Sequence, residues 1–168
     1  MRLRVEAGHL HAPGVRAPVV VGRGGIVPAA AKREGDGATP AACLPIRGVL
    51  LRPDRVPPLP LRLPWRWLRP DDGWSDTPAD PAYNRPVTHP HAHGTERLWR
   101  DDALYDILVV FGWNDAPVVP GRGSAIFWHV ADPDGRPTEG CLATARATLV
   151  ALLPGLAPGS AVDVALGA

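Results

Sequence analysis

The sequence predicts a mainly β, loop-rich fold, and three observations carry that expectation. Apolar residues fall in short runs bounded by Pro and Gly, the pattern of buried strands. The 168 residues include 21 Pro and 18 Gly, which break long helices. Only one stretch combines apolar residues at helical spacing with a stop signal.

Pro18 to Gly22 (PVVVG) reads as a short buried strand, and Leu44 to Leu51 as a second, interrupted by Gly48. Asp106 to Gly112 (DILVVFG) and Ser124 to Val130 (SAIFWHV) are the strongest core strands, and Ala161 to Leu166 (AVDVAL) alternates like a terminal one. The helix is Ala145 to Leu153. Leu149, Val150, Leu152 and Leu153 supply its apolar stripe, Thr144 its N-cap and Pro154-Gly155 its stop. Proline crowds Arg52 to Pro90, which is expected to be extended wrapping chain anchored by buried Trp65, Trp67 and Trp74.

No internal repeat or linker divides the chain, so residues 1–168 are expected to form one domain, with 1–31 as an N-terminal strand region. A net charge of +1 gives no electrostatic reason to expect nucleic acid or an anionic membrane. No apolar run approaches the ~20 residues of a membrane span. The start, MRLRVEAGHL, shows no secretory signal, which needs an apolar stretch of about 7–15 residues. Cys43 and Cys141 fit one disulfide or one reactive thiol equally, so the cysteines leave the compartment open.

Chemistry concentrates between Gly123 and Ala145. A strand carries His129, the turn Asp132-Pro133-Asp134-Gly135 reverses the chain, and Thr138-Glu139-Gly140 delivers Cys141 just before the predicted helix. A helix N-terminus favours a thiolate, and a returning histidine can take the thiol proton. Gly140 allows a close backbone approach, and the N–H groups around Cys141 suit an oxyanion.

The inert alternative is a small buried cysteine and a satisfied core histidine. Cys43, in the apolar stretch ACLPI, keeps that inert reading. His89, His91 and His93 alternate as a metal site would require, but Pro90 and the lack of neighbouring ligands favour a polar loop. Asp71-Asp72 and Asp101-Asp102 read as solvated or capping residues. No metal or organic cofactor is expected.

Gly121 to Leu142 resembles the catalytic signature of the L,D-transpeptidase (YkuD-type) family, in which a histidine on a strand precedes Ser/Thr-x-Gly-Cys. Here that motif is Thr138, Gly140 and Cys141. KREGDGATPAACLPIR, PDDGWSDTPADPAYNR and ERLWRDDALYDILVVFGWN are also similar to family segments, so the resemblance runs from about Lys32 to the C-terminus. It implies a β-sandwich or flattened barrel with a short helix after the cysteine. Cys141 would be the nucleophile and His129 the base and acid, with Gly140 at the oxyanion and Thr138 supporting the loop. A backbone carbonyl near Glu139 or Gly140 would hold the second imidazole nitrogen. His93, followed by the Gly94 common in the family, is the rival base, but it lies much farther from Cys141 than the family histidine does.

Three positions depart from the family. Ala143 stands where many members have Arg, Glu139 where His is frequent, and Ala42 where Gly follows Thr-Pro. Arg122 is the expected replacement cation, and Tyr83, Asn84, Trp113 and Trp128 are candidates for the groove wall. The implied reaction is transpeptidation of peptidoglycan stem peptides through a thioester, in the cell envelope, with susceptibility to carbapenem-type inhibitors. A thiol L,D-carboxypeptidase using water, and a decayed envelope-binding domain, are the alternatives.

Overall fold

The computed structural model describes residues 1–167. β1 (Arg2–Glu6), β2 (His9–Ala12) and β3 (Val15–Pro18) form an antiparallel meander. β4 (Ile26–Pro28) and β5 (Thr39–Ala41) pair in parallel. The long β6 (Cys43–Leu51) takes β7 (Trp65–Trp67) as a parallel side strand. β8 (Asp72–Ser75), β9 (Pro86–Thr88) and β10 (Thr95–Arg97) make a separate antiparallel sheet with β8 in the middle. β11 (Ile107–Phe111), β12 (Phe127–Val130) and β13 (Leu142–Thr144) precede α1 (Arg146–Leu152), a 3₁₀ turn at Leu153–Gly155 and β14 (Ala161–Val164).

The principal sheet runs β13-β12-β11-β6-β14-β1-β2-β3. Just past β3, Val20 exchanges two backbone hydrogen bonds with Ala143 of β13, at 2.8 and 2.9 Å. The two ends of the sheet therefore meet, and the result is a nearly closed barrel with few free strand edges. The fold is mainly β with one short late helix, as the sequence implied.

Strand alternation sorts side chains between two cores. From β11, Ile107, Val109 and Phe111 enter the main core, where Leu149, Leu152 and Leu153 also pack. Leu108, on the opposite face, joins a second cluster with Leu68, Leu98, Tyr105 and Phe127. β12 divides likewise: Trp128 and Val130 face the main core, and Phe127 faces the second.

Several expectations are corrected. The strand expected over Pro18 to Gly22 is absent: β3 ends at Pro18, and Val20 and Gly22 pair only as isolated bridges. Ser124 and Ala125 lie outside β12, because Ala125 takes a left-handed φ of 51° that no strand continues through. Thr144 does not cap α1; its hydroxyl accepts the Trp128 indole N–H at 2.9 Å, and Ala145 occupies the cap position. The Arg52–Pro90 stretch holds real strands, with Pro86 tolerated on the edge strand β9. Trp65 is exposed, and Trp67 and Trp74 are half-buried; the fully buried indole is Trp128. Asp72 is held by Arg66 through two bonds at 2.7 and 2.9 Å.

A tight crossing fixes the segment before Cys141. Thr39 Oγ1 accepts the Gly22 N–H and donates to the Gly140 carbonyl, both at 2.9 Å. A Cβ on Gly22 would lie 2.2 Å from the Gly37 oxygen and 2.9 Å from Gly140 Cα, so only glycine permits the contact. Thr39→Val keeps the side-chain shape but strands the Gly22 N–H, at a cost of about 1–3 kcal/mol. A lowered midpoint in urea unfolding is the expected outcome; an unchanged midpoint contradicts the crossing.

Candidate active site

β12 and β13 run parallel, with Trp128 opposite Leu142 and His129 opposite Ala143. One residue back along β13, Cys141 therefore comes level with Phe127, and the Phe127 N–H points at its sulfur at 3.4 Å. His129 stands two positions further along the same face of β12, a separation of about 6.6 Å along the strand. Both side chains line a single pocket of about 350 Å³.

The loop before Cys141 is tied down on every side. Thr138 Oγ1 donates to the Cys141 carbonyl at 2.7 Å and accepts the Gly140 N–H at 3.2 Å. Gly140 has φ 129°, and a Cβ there would meet the Ala38 oxygen at 2.8 Å. Thr138 thus links both ends of the Gly140-Cys141 step. The Gly140 N–H, being committed to Thr138, is not the free oxyanion donor that was expected.

The His129 ring is 5 % exposed, and its Nδ1 lies 2.8 Å from the Val130 carbonyl. A carbonyl only accepts, so Nδ1 carries the proton and Nε2 keeps its lone pair. The orienting carbonyl is therefore the next residue on the strand and not one near Glu139. The Tyr105 ring packs edge-on against the imidazole, with centroids 5.1 Å apart.

The thiol is not the thiolate that a helix N-terminus was expected to favour. Cys141 is 7 % exposed and its thiol donates to the Ala125 carbonyl at 3.2 Å, not to His129. Burial pushes the thiol well above its ordinary range and the Glu96 charge adds to that, against a smaller opposing effect from the Phe127 N–H. No helix dipole compensates, because β13 separates Cys141 from α1. Burial also lowers the imidazole to about 4. At neutral pH the site holds a thiol and a neutral imidazole.

The other expected residues are dispersed. Trp128 is 0 % exposed and points into the main core, away from the pocket. Arg122 lies with Trp113, Ala42 and Cys43 around a separate cavity. Tyr83, 2 % exposed, sits behind the pocket, where its hydroxyl donates to Glu34 and accepts the Gly123 N–H at 3.1 Å. Asn84 is also behind it, accepting the Ala125 N–H at 3.1 Å. His93 is exposed and outside the pocket lining, while His91 bonds Asp80 at 2.7 Å. Cys43 is exposed, not buried, and accepts from the Arg2 guanidinium at 2.8 Å. Both cysteines are free.

The cations that do face the pocket are Arg100 and Arg136, held by Asp102 and Asp132 at 2.6 and 2.8 Å. Glu34, Asp76 and Glu96 supply an acidic wall. Sequence reasoning gave none of these a role, although Glu34, Glu96, Arg100 and Asp76 all fall within the family-like segments. Their only signal was membership of those segments.

With the geometry in view, comparison adds one finding: the profile of the YkuD L,D-transpeptidase catalytic domain matches residues 3–164. No curated protein and no solved structure matches the chain.

A base depressed from 6.5 to about 4 contributes stability that is present above pH 6.5 and is lost as pH falls towards 4. An NMR titration of the His129 ring protons should give a midpoint well below 6.5. An ordinary midpoint contradicts the buried, neutral ring.

Proposed function

Since the chain belongs to the L,D-transpeptidase (YkuD) catalytic-domain family, whose members are cysteine-dependent enzymes acting on peptidoglycan, we propose that it carries out acyl transfer on stem peptides through a thioester on Cys141. The observation that carries this reading is the sharing of one pocket by Cys141 and His129.

The neutral pair dictates the order of events. Sγ attacks the carbonyl of the third-position diamino acid while His129 Nε2 takes the thiol proton as general base. Because the resting thiol is not ionised, proton transfer accompanies attack. The oxyanion lies within reach of the N–H of Cys141 itself, since a carbonyl attacked by Sγ comes next to the backbone that carries it. When the intermediate collapses, the C–N bond to the terminal D-alanine breaks and His129 returns the proton to the leaving amine. An amine of a second stem, or water, then attacks the thioester. His129 takes the incoming proton and passes it to the departing sulfur, which leaves as a thiol when the C–S bond breaks.

The charged walls support a zwitterionic peptide. Arg100 and Arg136 suit the carboxylates of the stem, in the role first given to Arg122, because a fixed guanidinium binds a carboxylate through two donors. Glu34 and Asp76 suit a free ammonium. A peptidoglycan substrate would be met in the cell envelope, where the family typically works.

Incubation with purified tetrapeptide muropeptides, followed by chromatography, tests the reading. The wild type should release D-alanine and form either cross-linked or trimmed product, which also identifies the acceptor. Cys141→Ala should abolish both, and His129→Ala should slow them by about 10²–10⁴-fold. A folded wild-type protein that leaves the muropeptides intact overturns the proposal.

A further inference from the structure

Glu96 and Tyr105 were assigned no part in the chemistry above, yet both line the pocket of Cys141 and His129. Tyr105, from the segment between β10 and β11, is 6 % exposed and its ring has three neighbours. The imidazole of His129 lies edge-on at 5.1 Å, Phe127 at 6.3 Å, and the Arg100 guanidinium stands over its face at 5.0 Å. Its hydroxyl donates to the Glu96 carboxylate. That hydrogen bond ties β10 of the small sheet to the face of the barrel that carries His129.

We propose that Glu96 and Tyr105 are a positioning pair for the reacting groups: Glu96 fixes Tyr105, and Tyr105 holds the His129 ring in the pocket that Cys141 shares. This rests on Cys141 and His129 being the reacting groups.

The pair works through geometry first. The imidazole has one hydrogen bond within the protein, at Nδ1 to the Val130 carbonyl. One bond leaves rotation about it to be opposed by packing, and the Tyr105 ring, in T-shaped contact with the imidazole, is part of that packing. Tyr105 is in turn held at its hydroxyl end. A ring held this way keeps Nε2 facing the pocket.

Charge is the second contribution. Around Glu96 stand Asp76, which follows β8, Glu34 from the chain before β5, and Arg100 and Tyr105 from the chain after β10. Burial and the two acidic neighbours raise the Glu96 carboxyl to about 7, against the pull of Tyr105 and Arg100. Above that pH it is negative and opposes thiolate formation at Cys141; below it the opposition fades. A bound ammonium would have the same effect as a proton.

The test is the pH dependence of Cys141 alkylation by iodoacetamide, measured on the Cys141 peptide by mass spectrometry with Cys43 as internal control. This readout needs no peptidoglycan substrate, so failure of the acyl-transfer reading leaves it intact. Glu96→Gln keeps the shape and removes the charge, and should speed Cys141 alkylation at pH 8 by about tenfold with Cys43 unchanged. Tyr105→Phe keeps the ring and removes the donor that favours the charged carboxylate, and should move the profile in the same direction by less. Tyr105→Leu should raise the NMR midpoint of His129 towards its ordinary value, and Tyr105→Phe, which keeps the ring and loses its tether to Glu96, should raise it by less. Should Glu96→Gln fail to fold, the two Tyr105 variants carry the test. Profiles and midpoints superimposing on the wild type overturn the proposal.

Discussion

The short parallel pairing of β12 with β13 is the constraint on which the pocket depends. Its register sets Cys141 beside Phe127 and leaves His129 on the same face. A slip of one residue would turn the sulfur to the opposite side of the sheet, because side chains alternate along a strand. Trp128 guards against that slip: its indole is buried in the main core and donates to Thr144 of the neighbouring strand at 2.9 Å. Truncating so large a buried side chain costs about 3–5 kcal/mol. The residue first placed on the groove wall therefore serves the site from behind it.

The same pairing explains the electrostatics. Holding the sulfur against the backbone of Ala125 and Phe127 removes it from water, and burial of His129 does the same for the imidazole. Each group is pushed towards its neutral form, so the pocket holds a thiol and a neutral imidazole and not a standing ion pair. Charge is concentrated instead on the pocket walls, with Arg100 and Arg136 against Glu34, Asp76 and Glu96. The pocket thus presents both signs of charge around a neutral thiol and imidazole.

What the sequence revealed was local. DILVVFG and FWHV are strong strand signals because their apolar residues are buried on both faces, and β11 and β12 appear where those runs lie. Thr138-x-Gly140-Cys141 was legible as a motif because its chemistry is contained in consecutive residues. Arg100, Tyr105 and Glu96 were not, because their meeting with His129 depends on how the small sheet docks against the barrel. The Thr144 cap failed for a related reason: its hydroxyl was drawn to a tryptophan on another strand. The helix-dipole argument failed because a strand of three residues intervenes, too short to announce itself by periodicity.

The central claim is that Cys141, and not the more exposed Cys43, is the nucleophile of a pocket built for acyl transfer. Mass spectrometry after incubation with a carbapenem tests this most directly, because an activated carbonyl reports where a nucleophile and its base coincide. One adduct per chain, mapped to the peptide containing Cys141 and lost in Cys141→Ala, is the predicted result. An adduct on Cys43 alone, or none on folded protein, would contradict it.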